Sequence, residues 1–287
     1  MSQQSLTAHQ NVYMSARAVS ATGVFPARES NPCCLIIMKF GILGFGNLGK
    51  AFSSALLCTG DVNADDIYIC DKSDEALSLA EKEHFHIYEL SEINRMIVDT
   101  DIFCIIVKGY IFEEIAKAIN KEALKGKPVI SMMAGETFED IYSLIGNVEL
   151  ARAMPSLAIA TNEGVIAYTK IPDKVAEIFN KFGFAFETEP EIIEKVMAFA
   201  ACGLGYAAYL IDAFTAAGES MGFSLDTASH IAALSFKNAG DIGNFRETVK
   251  AVATPGGATE QGVNYMDDCD VYGIVAGAIQ KAYERMT

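Results

Sequence analysis

Six residues, Gly44-Phe45-Gly46-Asn47-Leu48-Gly49, carry the first chemistry legible in this chain. They end a short apolar run from Met38 and lead directly into a helix-like stretch, residues 50–58. Only glycine lets a strand turn sharply into a helix while its main chain closes on a pyrophosphate. Gly44 would make the turn, Gly46 would leave room for phosphates, and Gly49 would let helix and strand pack closely. The free N–H groups at the helix start would bind the anion. Asp71 ends a second apolar run, residues 67–70, where a nucleotide fold places the acid that hydrogen-bonds the adenosine ribose. Its charge would favour NAD by repelling a 2′-phosphate, whereas Lys72 and Ser73 beside it could grip that phosphate. The spacing therefore points to NAD(P) and leaves the phosphate open. Val107 and Lys108 close a third apolar run, and Lys108 could hold a ribose or a substrate. Ala134 and Gly135 close a fourth, with small residues where a nicotinamide could lie close.

A separate string, Thr254-Pro255-Gly256-Gly257-Ala258-Thr259, has different chemistry. Proline stops one helix, the glycines turn the backbone, and Ala258 and Thr259 start the next. That makes a nest of N–H groups at a helix N-terminus, suited to a substrate carboxylate, with a hydroxyl available from Thr259. Local chemistry alone also allows a plain helix–helix turn. No nucleophilic triad is evident, and the four histidines are scattered. The seven cysteines show no zinc spacing and their odd count suggests no disulfide framework, so no metal is expected and a reducing, cytoplasmic setting fits.

The elements that must position these residues alternate from Phe40 onward. Strands are expected at 67–70, 85–88, 101–107 and 128–133, with helices at 73–82, 111–120 and 138–145 between them. Continuous β-rich runs such as 101–107 suit strands buried on both faces, and the alternation predicts βαβ units in a parallel sheet. Further strands are expected at 148–153, 165–169 and 184–187. After Pro190 the pattern becomes helical: one long helix over 191–221, then 225–242, 245–251 and 270–286. Residues 196–211 are apolar almost all round, so cover from a partner subunit is expected. Glycines, Asp212 and the lack of basic flanks argue against a membrane span.

The expected fold class is α/β, an N-terminal Rossmann-type doubly wound sheet over 38–189 followed by an all-helical dimerisation and substrate domain over 190–287. Residues 1–37, rich in serine, alanine and glutamine, suggest a disordered leader or an over-long start, with organellar import a minor alternative. A net charge of -15 argues against a nucleic-acid or anionic-membrane surface. A hydrophobic fraction of 51% favours extensive burial or an obligate oligomer.

Taken together, these strings resemble the pyrroline-5-carboxylate reductase family over residues 38–287. The resemblance is carried by the glycine loop with Asn47, Val107-Lys108, residues 130–135, Arg152-Ala153-Met154-Pro155, Glu163-Gly164, Cys202-Gly203-Leu204-Gly205 into Asp212, Ala217-Gly218, Met221-Gly222 and Pro255-Gly256-Gly257-Ala258-Thr259. It implies NAD(P)H-dependent reduction of 1-pyrroline-5-carboxylate to L-proline, with hydride passing to the imine carbon. It further implies a substrate carboxylate resting on Gly256, Gly257, Ala258 and Thr259, with Thr259 as first candidate for catalysis. The family's cleft forms within an interlocked homodimer. Departures stand at Ser156, Leu157 and Ala158, where the family reads N-T-P, and at Leu204 and Tyr206, where it reads S-G-S-G-P-A. Ala253-Thr254 replaces a polar pair before P-G-G, and Lys250 stands where an acid is common. Two alternatives stay open: reduction of another small imine or keto acid in a less polar pocket, and a dimeric NAD(P)-binding sensor without turnover.

Overall fold

A computed structural model of the protein describes residues 38–286, so the reading of residues 1–37 as a leader lies outside the described residues. Eight strands make one sheet: β1 (Phe40–Leu43), β2 (Ile67–Cys70), β3 (His86–Tyr88), β4 (Ile102–Ile105), β5 (Pro128–Ser131), β6 (Glu149–Pro155), β7 (Gly164–Tyr168) and β8 (Gly183–Glu187). Their order across the sheet is β3-β2-β1-β4-β5-β6-β7-β8. Between them lie α1 (Asn47–Cys58), α2 (Asp74–Lys82), α3 (Ile93–Asp99), α4 (Gly109–Ala116), α5 (Phe138–Ile145) and α6 (Asp173–Phe179). Strand order reverses at β1, which pairs parallel with both β2 and β4. In open α/β sheets the crevice outside the strand ends at that reversal is where ligands bind.

The central strands are buried on both faces, as their continuous apolar runs predict. Phe40 and Ile42 of β1, with Ile102 and Cys104 of β4, face one core, while Leu43, Phe103 and Ile105 face the other. The first core is closed by aromatic edges: Phe52 of α1 meets Phe179 at 5.9 Å and Phe182 at 5.7 Å between ring centroids.

Three expectations need correction. The sheet is not wholly parallel, because β6 and β7 run antiparallel, with Ala153 opposite Tyr168. Only a short 3-10 turn, Leu157–Thr161, joins them, and a parallel crossover needs about a dozen residues or more. Helix α6 was not foreseen, although Pro172 before it and the buried Val175, Ile178 and Phe179 carry its signal. The long helix expected over 191–221 is divided into a 3-10 turn at Pro190–Ile192, α7 (Ile193–Val196), a π-helical stretch at Met197–Ala201 and α8 (Cys202–Ser220).

Four helices follow: α9 (Leu225–Ile242), α10 (Phe245–Val252), α11 (Ala258–Asp268) and α12 (Val271–Met286). The sequence bounds three of them and marks the start of the fourth, α11, at Ala258. Asp270 separates α11 from α12 by taking a left-handed φ of 51° and accepting the Gly273 N–H at 3.1 Å. The described residues fall into two compact units, one running to Leu210 and resuming at Asp270, the other Ile211–Cys269. The change of unit falls inside α8, whereas the change of composition falls at Pro190. In the second unit Phe214 packs edge-on against Phe236 at 5.2 Å, and Thr215, Ala228 and Ala232 are buried. Phe223, Leu225, Ile231 and Leu234 remain exposed.

Candidate functional site

The glycine loop joins β1 to α1, and its three glycines meet three different surroundings. Gly44 has φ +105°, and a Cβ there would stand 2.6 Å from the Ile106 carbonyl oxygen and 2.8 Å from Val107 Cγ1. The turn thus needs glycine for conformation and for its close approach to the loop after β4. A Cβ on Gly49 would collide with the Gly44 carbonyl oxygen, so helix and strand touch through the missing side chain. Gly46 faces open space, with nothing within 4 Å of where a Cβ would be. As N-cap of α1 it supplies no side-chain cap, which leaves the helix N–H groups available to an anion. An open glycine at an uncapped helix start fits a dinucleotide pyrophosphate.

Asp71 follows β2 directly and is half-buried. Its Oδ2 accepts the Phe45 N–H at 2.7 Å, and its Oδ1 accepts the Ser73 N–H at 2.9 Å. One carboxylate therefore fixes the glycine loop and the start of α2 together. Each oxygen keeps further acceptor capacity for a ribose hydroxyl. Ser73 caps α2, its hydroxyl accepting the Ala76 N–H at 3.3 Å, and Lys72 is exposed. The sequence marks all three residues but not this bracing.

Lys108 is the exposed N-cap of α4, beyond the end of β4. Gly109 next to it lies against the Glu136 carboxylate. Burial pushes the Glu136 carboxyl above its usual range, and nearby Asp140 and Glu113 add to the shift, while Arg152 opposes it. Ala134 and Gly135 are exposed at the end of β5, with Gly135 at φ +72° and close to the main chain of Met286. Behind them stands an ion pair that sequence reading missed. Arg152 Nη1 lies 2.6 Å from Glu194 Oε1, with the two side chains 4% and 14% exposed. An arginine inside an apolar strand requires an anionic partner, and that requirement was the available signal.

Thr254–Thr259 belongs to the other unit. Gly256 has φ +74°, Gly257 donates its N–H to the Thr254 carbonyl at 2.9 Å, and Gly257 caps α11 without a side chain. Gly256 gives its N–H to the Glu260 carboxylate at 2.8 Å. The N–H groups of Ala258 and Thr259 have no hydrogen-bond partner among the described residues, and Thr259 is exposed. The nest is formed, but it is smaller by two donors than the sequence suggests, because the Gly256 and Gly257 N–H groups are already taken.

Two of the departing residues are occupied elsewhere. The Ser156 hydroxyl accepts the Val165 N–H at 3.0 Å and its own N–H donates to Val165, locking β6 to β7. The Tyr206 hydroxyl donates to the Ala278 carbonyl at 3.3 Å. Leu157 and Leu204 are exposed. A groove of about 550 Å³ lined by Phe138, Leu150, Thr169, Lys170, Glu187 and Pro190 holds none of the expected site residues. Among the described residues no cluster of ligands for a metal is present.

Comparison with known proteins gives two family matches. Residues 190–287 match the family model described as pyrroline-5-carboxylate reductase dimerisation, and residues 39–135 match NADP oxidoreductase, coenzyme F420-dependent. A curated pyrroline-5-carboxylate reductase of Aquifex aeolicus (strain VF5) is 27% identical over 264 residues, which is 88% of this chain and 97% of that protein. Pyrroline-5-carboxylate reductase 2 of Bacillus subtilis (strain 168) is 24% identical over 262 residues, 86% of this chain and 93% of that protein. Among solved structures, Plasmodium falciparum pyrroline carboxylate reductase with NADP bound superposes with a TM-score of 0.77 at 19% identity, covering 87% of this chain and 97% of that one. The 1-pyrroline-5-carboxylate reductase of Streptococcus pyogenes gives 0.77 at 22% identity, covering 87% and 98%.

Proposed function

The chain belongs to the pyrroline-5-carboxylate reductase family, and from that premise we propose that it reduces 1-pyrroline-5-carboxylate to L-proline with NAD(P)H. The observation that carries the reading is the glycine loop, whose uncapped helix start and open Gly46 suit a dinucleotide in a chain that spans 97% of the Aquifex aeolicus reductase.

The reduced nicotinamide, when bound, supplies the hydride. The remaining work falls to the chain. The α1 N-terminus would hold the pyrophosphate, and Asp71, which keeps the loop in place, would accept a ribose hydroxyl. The Ala258 and Thr259 N–H groups receive the substrate carboxylate, and the Thr259 hydroxyl meets the imine nitrogen. A protonated imine is already a strong electrophile. Hydride adds to its carbon, the C=N bond becomes C–N, and nitrogen keeps its proton as a secondary amine. Positioning and charge complementarity therefore suffice, with no dedicated strong acid.

The protein acts as a homodimer. Support comes from the dimerisation family match and from the exposed Phe199, Tyr209 and Phe214 along the 190–220 stretch. That stretch is long and apolar enough to cross a membrane, but the dimerisation match covers it entirely. The free thiols of Cys58, Cys70, Cys104, Cys202 and Cys269 suit a cytoplasmic location.

Oxidation of NAD(P)H on adding pyrroline-5-carboxylate, and rescue of a proline auxotroph, test the reaction directly. Turnover only with other imines or keto acids would favour the less polar pocket that exposed Leu157 and Leu204 suggest. Thr259→Ala is expected to raise KM for the imino acid about tenfold or more while sparing cofactor affinity. An unchanged KM would remove this loop from the site.

A further inference from the structure

Resting on the nucleotide-binding reading above, we propose that the buried Arg152–Glu194 pair positions the main chain that receives the nicotinamide. Arg152 projects from β6 at 3% exposure. Its Nη1 is paired with Glu194 Oε1 at 2.6 Å, and its Nη2 donates to the Met133 carbonyl at 2.5 Å. Glu194 stands on α7, and its second oxygen accepts the Gly135 N–H at 3.3 Å. Ala134 thus has a cation fixing the carbonyl before it and an anion fixing the N–H after it. The same two side chains tie the residues after β5 to β6 and to the helix near the start of the dimerisation segment.

Stability is a poor reason for this arrangement. Burying two charges carries a large desolvation penalty, and apolar replacements of such pairs are often neutral or stabilising. The Arg152 Nε is also buried without a hydrogen-bond partner among the described residues, which adds to the penalty. What the pair provides is placement: the two main-chain polar atoms on either side of exposed Ala134 are held from behind by side chains that cannot move independently. A reacting ring must be held within a fraction of an ångström for hydride transfer, and a misplacement of about 1 Å can lower the rate about a hundredfold. Arg152 and Glu194 touch neither reactant and act as positioning residues.

The test compares Glu194→Gln with Phe179→Leu, a substitution in the aromatic core whose ring neighbours, Phe52, Tyr168 and Phe182, are not expected site residues, and chosen for a similar loss in thermal midpoint. Without imine, NAD(P)H titration should give Glu194→Gln a Kd within about threefold of wild type, because the glycine loop is untouched. The nicotinamide emission enhancement on binding should be lost. With imine, kcat should fall about tenfold or more, and the primary isotope effect from 4-deuterated cofactor should rise, since the hydride step becomes limiting. Phe179→Leu should keep both emission and kcat. Emission and kcat preserved in Glu194→Gln, or lost equally in Phe179→Leu, overturns the proposal. A wild type that binds NAD(P)H but reduces no imine defeats the reaction reading alone, and the emission comparison still decides the positioning role.

Discussion

Phe52 and Phe214 are both aromatic residues near the middle of long helices, and the chain treats them differently. Phe52 is wholly buried, closed in by Phe40 of β1 and by Phe179 and Phe182 at and just after the end of α6. Phe214 has one edge-on neighbour, Phe236, and stays 48% exposed. The contrast extends to their units. The sheet unit supplies both layers of its own core. The helical unit turns Ile231 and Leu234, one turn apart on α9, to the outside together with Phe223 and Leu225. Apolar faces of that extent mark an interface, and folding and association are coupled in a unit whose cover comes from a second copy.

The sharpest way to break this contrast is Leu234→Asp. In wild type the thermal midpoint of the helical unit should rise with protein concentration, while that of the sheet unit should not. A charge at Leu234 should turn the dimer into monomers in sedimentation at micromolar concentration and abolish the concentration dependence. A variant that remains dimeric would place the interface elsewhere. Phe52→Ala addresses the other side. It should cost about 3–5 kcal/mol in chemical denaturation, the usual penalty for emptying an aromatic core site. That loss should be the same at every protein concentration. A concentration-dependent loss would mean that the sheet unit also depends on its partner.

The difference between the units also explains what the sequence could reveal. The glycine loop was legible because its constraints are local: Gly44 and Gly49 answer to atoms within one turn or to the adjacent strand end, while Gly46 is left open at the helix start. The central strands were legible because burial on both faces leaves a continuous apolar run. The antiparallel β6–β7 pair was not, since its direction is set by a short connection whose Ser156 hydroxyl bonds Val165. Asp71 could be picked out by type and position, but its grip on the Phe45 N–H exists only once β1 and β2 lie side by side. The Arg152–Glu194 pair joins segments far apart in sequence, and no local pattern pairs them. Exposure on the 190–220 helices was anticipated from their all-round apolarity, because a half so short cannot cover itself.

The smallest effect sharpens the comparison at a site that should be indifferent to assembly. Thr137 caps α5 in the sheet unit, its hydroxyl accepting the Asp140 N–H at 3.1 Å, while the Asp140 carboxylate accepts the Thr137 hydroxyl at 2.7 Å and its N–H at 2.9 Å. These bonds, first from the Thr137 hydroxyl and then from its backbone N–H, hold the Asp140 carboxyl below its ordinary value. A carboxyl with a lowered folded pKa adds stability above its unfolded pKa, about 3.9, and loses it as pH falls through the folded value. Thr137→Ala removes the hydroxyl from both halves of the cap. Since the site is solvent-exposed, the loss at pH 7 should be about 0.5–1 kcal/mol, the low end for N-caps. The gap between variant and wild type should narrow steadily in acid below about pH 4 as Asp140 protonates in both. A gap that widens in acid would show that the charge on Asp140 opposes the cap.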